Sequence, residues 1–296
     1  MRPDRAVLAS TVLWGTAWVP IRQLSGAGWE QGLAITVSCV LAAIAVVPIV
    51  QYKAQWSQLL GSRVWLIGLL MGLGMALYFE AMIRGNVARV VLLFYLMPVW
   101  SAILGRIFNG DVITVRRVCG IVLGICGLGV VFYDGSGFPL PSSVSDFLAL
   151  FSGIAWAFAF TLSSRSSVSA PVLGQVFSSL ALMGPAFYLL TLVPGSRESV
   201  SVSGLATGIF SAEFWLLALA FIWMLPAVSL TLFGASRLDS GKVAIFLMLE
   251  VAISLVSATL LLDEPFGLRE TLGAVLIIGA SFTEFGGFSR AKEQIP

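Results

Sequence analysis

The chain has 296 residues, of which 58% are hydrophobic and 11% charged, and its mean hydropathy is +0.97. A soluble domain carries roughly a quarter charged residues, so this chain cannot cover a water-facing surface and reads as a polytopic membrane protein. A net charge of +2 with no basic block longer than Arg116-Arg117 gives nucleic acid no footing, and the lack of any histidine removes imidazole-ligated metals and imidazole proton relays.

A bilayer core about 30 Å thick needs roughly 20 apolar residues in a helix, and the hydropathy predicts ten such spans. The first, near 6–24, follows basic residues as a signal peptide would, but it holds Trp14 and Trp18 and lacks a small-x-small cleavage site, so it reads as a retained span. Spans follow near 32–50 and 63–83, the latter ending in Glu80 and Arg84, four apart and set for an ion pair. The fourth, near 88–108, carries Tyr95, Met97, Pro98 and Trp100. The fifth, near 115–134, contains CGIVLGICGLG (119–129), where Gly120 and Gly124 permit close helix packing, within the chain by default and across a homodimer as the alternative to a monomer. The sixth (144–164) places Trp156 and Phe160 on one face, and the seventh (171–193) and eighth (209–233) contain Pro185 and Pro226. Between those two lies the longest polar connection, 194–208. The ninth (241–262) carries LMLEVAIS with Glu250 near its centre, and the tenth runs near 270–288. Cys39, Cys119 and Cys126 all fall inside apolar runs and read as small buried hydrophobes rather than disulfide partners.

With the N-terminus cytoplasmic, twelve of the seventeen lysines and arginines fall inside and five (Arg22, Arg84, Arg89, Arg197 and Arg269) outside, which puts both termini in the cytoplasm. The chain also repeats. A shift of 153 residues aligns RGNVARV (84–90) with RLDSGKV (237–243) without a gap and pairs Ser101 with Ser254 and Gly120 with Gly273; a shift of 138 brings WGTAW (14–18) onto SGIAW (152–156). Five spans are an odd number, so the second half, 139–296, enters the membrane inverted relative to the first, 1–138. Inverted repeats are a transporter signature, with the binding site expected near midplane where they meet.

Glu250 is the leading candidate for that site. A carboxylate at the bilayer centre costs on the order of 2.5–3.5 kcal/mol unless it faces protein or water, and its repeat counterpart is Met97, so the architecture does not impose it. It reads as an acid that binds a substrate ammonium or carries a proton, or alternatively as a protonated acid holding helices together. Around it the candidates are aromatic: Trp18, Tyr78, Tyr95, Trp100 and Trp156, with Phe246 and Ser254 one turn either side of Glu250 and Ser257 two turns on. Such a set suits a flat, partly apolar ligand bearing an amine. Trp29, Trp56, Trp65, Tyr133 and Trp215 read as interfacial anchors, and Arg22, Arg106 and Glu284 as charges snorkelling from span ends. Pro20, Pro98, Pro185 and Pro226 interrupt spans one, four, seven and eight, as hinges or as plain kinks.

WGTAWVPIR in the first span and LLLDEPFGLRETLGAVLIIGA across the last two resemble the EamA repeats of the drug/metabolite transporter superfamily, and the Trp content with LEVAIS looks like its aromatic amino acid exporters of the YddG type. The family's proline after the acid of span nine is replaced by Val251, while Pro98 stands in the first half. The resemblance implies an all-α fold in a bacterial inner membrane, with eight helices around a central cavity and spans five and ten at the periphery. It implies export of aromatic or other amino acids, or related metabolites, by alternating access, with lipid as the surrounding partner. A broad exporter of cationic drugs is the alternative, and a passive channel a further class. The chain lacks HExxH, GxGD and GxxxxGK[ST] motifs, so neither an intramembrane enzyme nor a built-in ATPase is expected, and no cofactor.

Overall fold

The computed structural model describes residues 1–52, 61–132, 140–165, 172–191, 210–262 and 267–285, and every regular element among them is helical. In chain order these are α1 (Pro3–Thr16), α2 (Trp18–Gly26), α3 (Gln31–Tyr52), α4 (Ser62–Arg84), α5 (Val87–Phe94), α6 (Met97–Leu104), α7 (Val115–Phe132), α8 (Val144–Arg165) and α9 (Val172–Thr191), then α10 (Ala212–Ala218), α11 (Leu225–Ala235), α12 (Ser240–Leu247), α13 (Leu249–Leu262) and α14 (Leu268–Phe285). The connection 194–208, the repeat boundary at 138/139, and Trp56 and Tyr133 lie outside the described residues.

Eight stretches among the described residues are long and apolar enough to cross a membrane, from Gln31–Tyr52 to Ser240–Leu262. The other two of the ten expected spans differ for local reasons. The first is broken at Ala17 into α1 and α2, each too short alone, and α14 has 18 residues but carries Arg269, Glu270 and Glu284.

The breaks follow from proline chemistry. A proline ring clashes with the carbonyl four residues before it and leaves that carbonyl without an amide partner. Pro20 stands just after the turn at Ala17, and Pro98 four residues after Phe94, where α5 ends. Pro226 follows a π-helical turn, Leu219–Met224, which absorbs the mismatch, whereas Pro185 and Pro48 sit inside unbroken helices. The ninth span breaks too, at Met248, with Val251 in the place of a proline: the Met248 amide bonds back to Ile245 O (3.2 Å) and that of Val251 to Met248 O (3.1 Å), the pattern of a tightened 3₁₀ turn. Met248 is the counterpart of Tyr95 under the 153-residue shift, so both halves interrupt the same span at the same place.

Helix starts are capped from the chain itself. Asn86 Oδ1 accepts the Arg89 amide (3.2 Å) to open α5, and Ser143 with Asp146 forms a reciprocal capping box at the start of α8. Arg89 then reaches across to Asp146 (2.8 Å), fastening α5 to α8.

Helix α4 packs on both α8 and α9, α5 and α6 lie along α8, and α1 packs on α11, α12 and α13. Two glycines set these distances. A Cβ on Gly153 would stand 2.5 Å from the Phe94 carbonyl oxygen, and one on Gly15 2.6 Å from that of Glu250. They are repeat counterparts under the 138-residue shift, so each half brings its first helix against the backbone of a broken span. Helix α6 crosses α12 at the end of the bundle where α1 begins, with Ser240 Oγ donating to Ser101 O (3.0 Å). At the opposite end α13 packs on α1, α12 and α14, leaving space between itself and α5.

Peripheral α7 and α14 pack on one another, and Gly120 and Gly124 face Thr283, Ala280 and Met248 of the same chain. The outward faces of the bundle are apolar, including Leu69, Val122, Leu189 and Leu260. Cys39 is buried as expected, but Cys119 and Cys126 are exposed on the outer side of α7, where lipid rather than protein accepts an apolar side chain.

Candidate functional site

The space between α13 and α5 is a cavity of about 470 Å³. Its walls come from both halves: Trp14, Trp18, Ile21 and Arg22 from the first span, Met75, Tyr78, Phe79 and Met82 from α4, Phe94, Tyr95 and Met97 around the break in span four, Trp156 from α8, and Glu250, Val251, Ser254 and Leu255 from α13. Arg22, Phe132 and Leu262 carry it to the far end of the bundle, where α7 and α13 finish.

Glu250 and Tyr95 meet at its deep end. The Tyr95 hydroxyl donates to Glu250 Oε1 across the two halves, each residue standing within two positions of its own helix break. Tyr95 is almost fully buried. A neutral phenol brings the acid a hydrogen bond but no opposite charge, so the acid retains acceptor oxygens for a ligand cation.

Aromatic rings surround this pair. Trp14 and Trp156 meet edge to face with centroids 5.8 Å apart, Tyr78 and Phe94 are 4.6 Å apart, Phe94 and Tyr95 4.9 Å, and Trp156 and Phe160 5.7 Å. Two of the three wall tryptophans have their N–H groups bound in place, Trp14 Nε1 donating to Thr231 Oγ1 (3.1 Å) and Trp18 Nε1 to Ser257 Oγ (3.0 Å), while Trp156 Nε1 is buried with no hydrogen-bond partner among the described residues. Ser254 Oγ donates to Gly15 O (2.8 Å), which ties α13 to α1 alongside Glu250.

Of the residues singled out from the sequence, Trp18, Tyr78, Tyr95, Met97, Trp156, Glu250 and Ser254 line the cavity together. Trp100 and Phe246 do not. Phe246 is fully buried with Lys242 Nζ 5.5 Å from its ring centroid, because the break at Met248 turns α12 out of register with α13 and takes residue 246 off the face of Glu250. Trp100 lies on α6 beyond the break in its own span, with Nε1 buried and no hydrogen-bond partner among the described residues. Glu80 and Arg84 form the expected ion pair at 2.5 Å. Of the four prolines read as hinges or kinks, Pro20 and Pro98 stand beside breaks that bound the cavity, Pro226 follows Met224, another wall residue, and Pro185 sits inside unbroken α9.

Two charges read as snorkelling from span ends are placed otherwise. Arg22 lines the cavity, and its Nε is buried with no hydrogen-bond partner among the described residues. Glu284 is buried on α14 and holds Arg117 of α7 at 3.3 Å; Arg117 also reaches Asp239 at 3.2 Å, in front of α12. Distance from a span end gives depth, but not the direction a side chain takes around its helix. At this closed end Asp111 is pushed up to about 6 by burial and by Asp239 beside it, against the pull of Arg117.

A bundle with apolar outward faces and an acid-bearing cavity between its halves is a membrane protein that takes solutes into its interior. The chain belongs to the EamA-like transporter family, whose sequence profile matches residues 3–133 and again 143–283, and it is a multi-pass membrane protein. It is 27% identical over 62% of its length to the uncharacterized transporter YvbV of Bacillus subtilis, and 28% identical over 63% to a probable amino-acid metabolite efflux pump of Escherichia coli. These alignments span 58% and 64% of those relatives, less than two thirds of either. The uncharacterized transporter YyaM of Bacillus subtilis is 23% identical over 71% of this chain and 68% of its own. A solved crystal structure superposes with a TM-score of 0.74 over 95% of both chains at 15% identity, a likeness of fold alone.

Proposed function

We propose that the chain is a secondary carrier exporting amino acids, with aromatic ones preferred, or related metabolites across a bacterial inner membrane. The observation that carries this reading is the Tyr95–Glu250 pair at the floor of an aromatic-walled cavity built from both halves. An acid there receives a substrate ammonium, the rings receive an apolar side chain, and the helix breaks beside each residue let the two ends of the path open in turn. The name of the Escherichia coli relative, a probable amino-acid metabolite efflux pump, supports the substrate class.

In this reading the chain crosses the membrane ten times, residues 1–138 and 139–296 form inverted halves, and both termini are cytoplasmic. The crossing of α6 and α12 is then the closed cytoplasmic side, and the cavity faces outward. Solute counterflow tests the reading: liposomes loaded with unlabelled tryptophan should transiently accumulate external labelled tryptophan above equilibrium. A carrier produces that overshoot, whereas a channel gives simple equilibration and an unrelated substrate class gives no flux.

A further inference from the structure

Building on that reading, we propose that Arg22 is the carboxylate-recognising group of the cavity, so that the transported solutes carry an anionic carboxylate and not an amine alone.

Four observations converge on Arg22. It lines the same cavity as Glu250. Its Nε is buried without a hydrogen-bond partner, and no ion pair to it forms among the described residues, so a charged donor is left unmet beside an empty volume of solute size. A guanidinium in such a place is a fork of donors without an acceptor, and a carboxylate is the group whose geometry it matches. Finally, its counterpart under the 138-residue shift is Phe160, a buried aromatic, as the counterpart of Glu250 under the 153-residue shift is Met97. The fold therefore calls for an apolar residue at both places, and both charges break the internal symmetry on the wall of one cavity.

Helix spacing separates the two charges. Trp18 is level with Ser257 through its indole bond, Arg22 is one turn beyond Trp18, and Glu250 is two turns below Ser257. Three turns place their Cα atoms about 16 Å apart along the axis. The arginine side chain folds back toward the start of its helix and shortens the gap, yet the two charges make no ion pair with each other. Arg22 is thus an outer station that takes the carboxylate of an arriving solute, and Glu250 an inner one that takes the ammonium once the solute has moved inward, because the two charged groups of an amino acid share one carbon and cannot reach both stations at once. A cationic drug would meet an unpaired guanidinium at the mouth and be repelled, so Arg22 selects against that class.

The test uses three indole solutes in sealed liposomes: tryptophan, tryptamine (amine without carboxylate) and indole-3-propionate (carboxylate without amine). Arg22→Gln should raise the KM for tryptophan by about tenfold or more, the loss expected for a hydrogen bond to a charged group, and should cut indole-3-propionate flux as steeply. Tryptamine flux should stay the same or rise, and Arg22→Lys, which keeps the charge but not the two-pronged donor geometry, should restore part of the tryptophan flux. Equal loss of tryptophan and tryptamine in Arg22→Gln would assign Arg22 a packing role, and an unchanged tryptophan KM would remove it from the path; either overturns the proposal while the amino-acid reading stands. No flux of any of the three through the wild-type protein overturns both.

Discussion

Arg117 is the buried charge whose removal has the clearest energetic consequence. Its side chain is 6% exposed and Glu284 7%, while Asp239 is 50% exposed. The two pairs at this site therefore differ in weight. An ion pair with a half-exposed acid contributes about 1 kcal/mol or less. Removing one partner of a buried pair costs about 3–5 kcal/mol, because the other charge is left uncompensated. Arg117→Met should thus destabilise the protein by about 3–5 kcal/mol through stranded Glu284, and Asp239→Asn by about 1 kcal/mol at most. At 2 °C or more per kcal/mol, Arg117→Met lowers the melting temperature by roughly 6 °C or more. Arg117→Met/Glu284→Leu should recover most of the loss, since a well-packed apolar pair replaces a buried ionic one at little net cost. The assay is the loss of monodisperse protein on heating in a mild detergent, for the single and double variants side by side. An Arg117→Met melting temperature within about 2 °C of wild type, or additive losses in the double variant, would refute the reasoning.

Other expectations follow from close contacts and protonation. Gly153→Ala puts a methyl 2.5 Å from the Phe94 carbonyl oxygen and should cost about 1–3 kcal/mol, whereas Gly129→Ala, with nothing within 4 Å, should be neutral or mildly stabilising; matching thermal shifts for the two would contradict the close approach of α8 to α5. The Asp111 carboxyl titrates at about 6 in the folded protein, above its ordinary 3.8, so its contribution is full at low pH and is lost as pH rises through about 6. Asp111→Asn, which mimics the neutral acid, should therefore raise the melting temperature relative to wild type most at about pH 8, by about half as much at about pH 5, and little below about pH 4. Equal shifts across this range would contradict this assignment.

Much of the fold was legible because hydropathy reports depth in a membrane directly. Eight of the ten expected spans are long apolar helices among the described residues, and these, the Gly-rich span five and the gap-free match of RGNVARV to RLDSGKV all come from residue order. Glu250 was visible as a misfit charge near the centre of span nine and Tyr95 as one of several aromatics in the spans, but their bond joins residues 155 apart and required the two halves to be folded together. What escaped was direction around the helix axis. Arg22 and Glu284 stand near span ends and looked like snorkelling charges, yet one faces the cavity and the other Arg117. Phe246 failed for a related reason: the i−4 spacing assumes an unbroken helix, and the turn at Met248 has no proline to announce it.

The central claim is that Glu250 binds the solute's ammonium on the transport path. Labelled tryptophan flux into sealed liposomes, compared for wild type and Glu250→Gln at matched protein content, tests it most directly. The account predicts saturable wild-type flux that falls about tenfold or more in the variant, as expected for losing a charged hydrogen bond in a low-dielectric site. Equal flux in both would contradict it, and would leave Glu250 as an acid that only ties α13 to Tyr95.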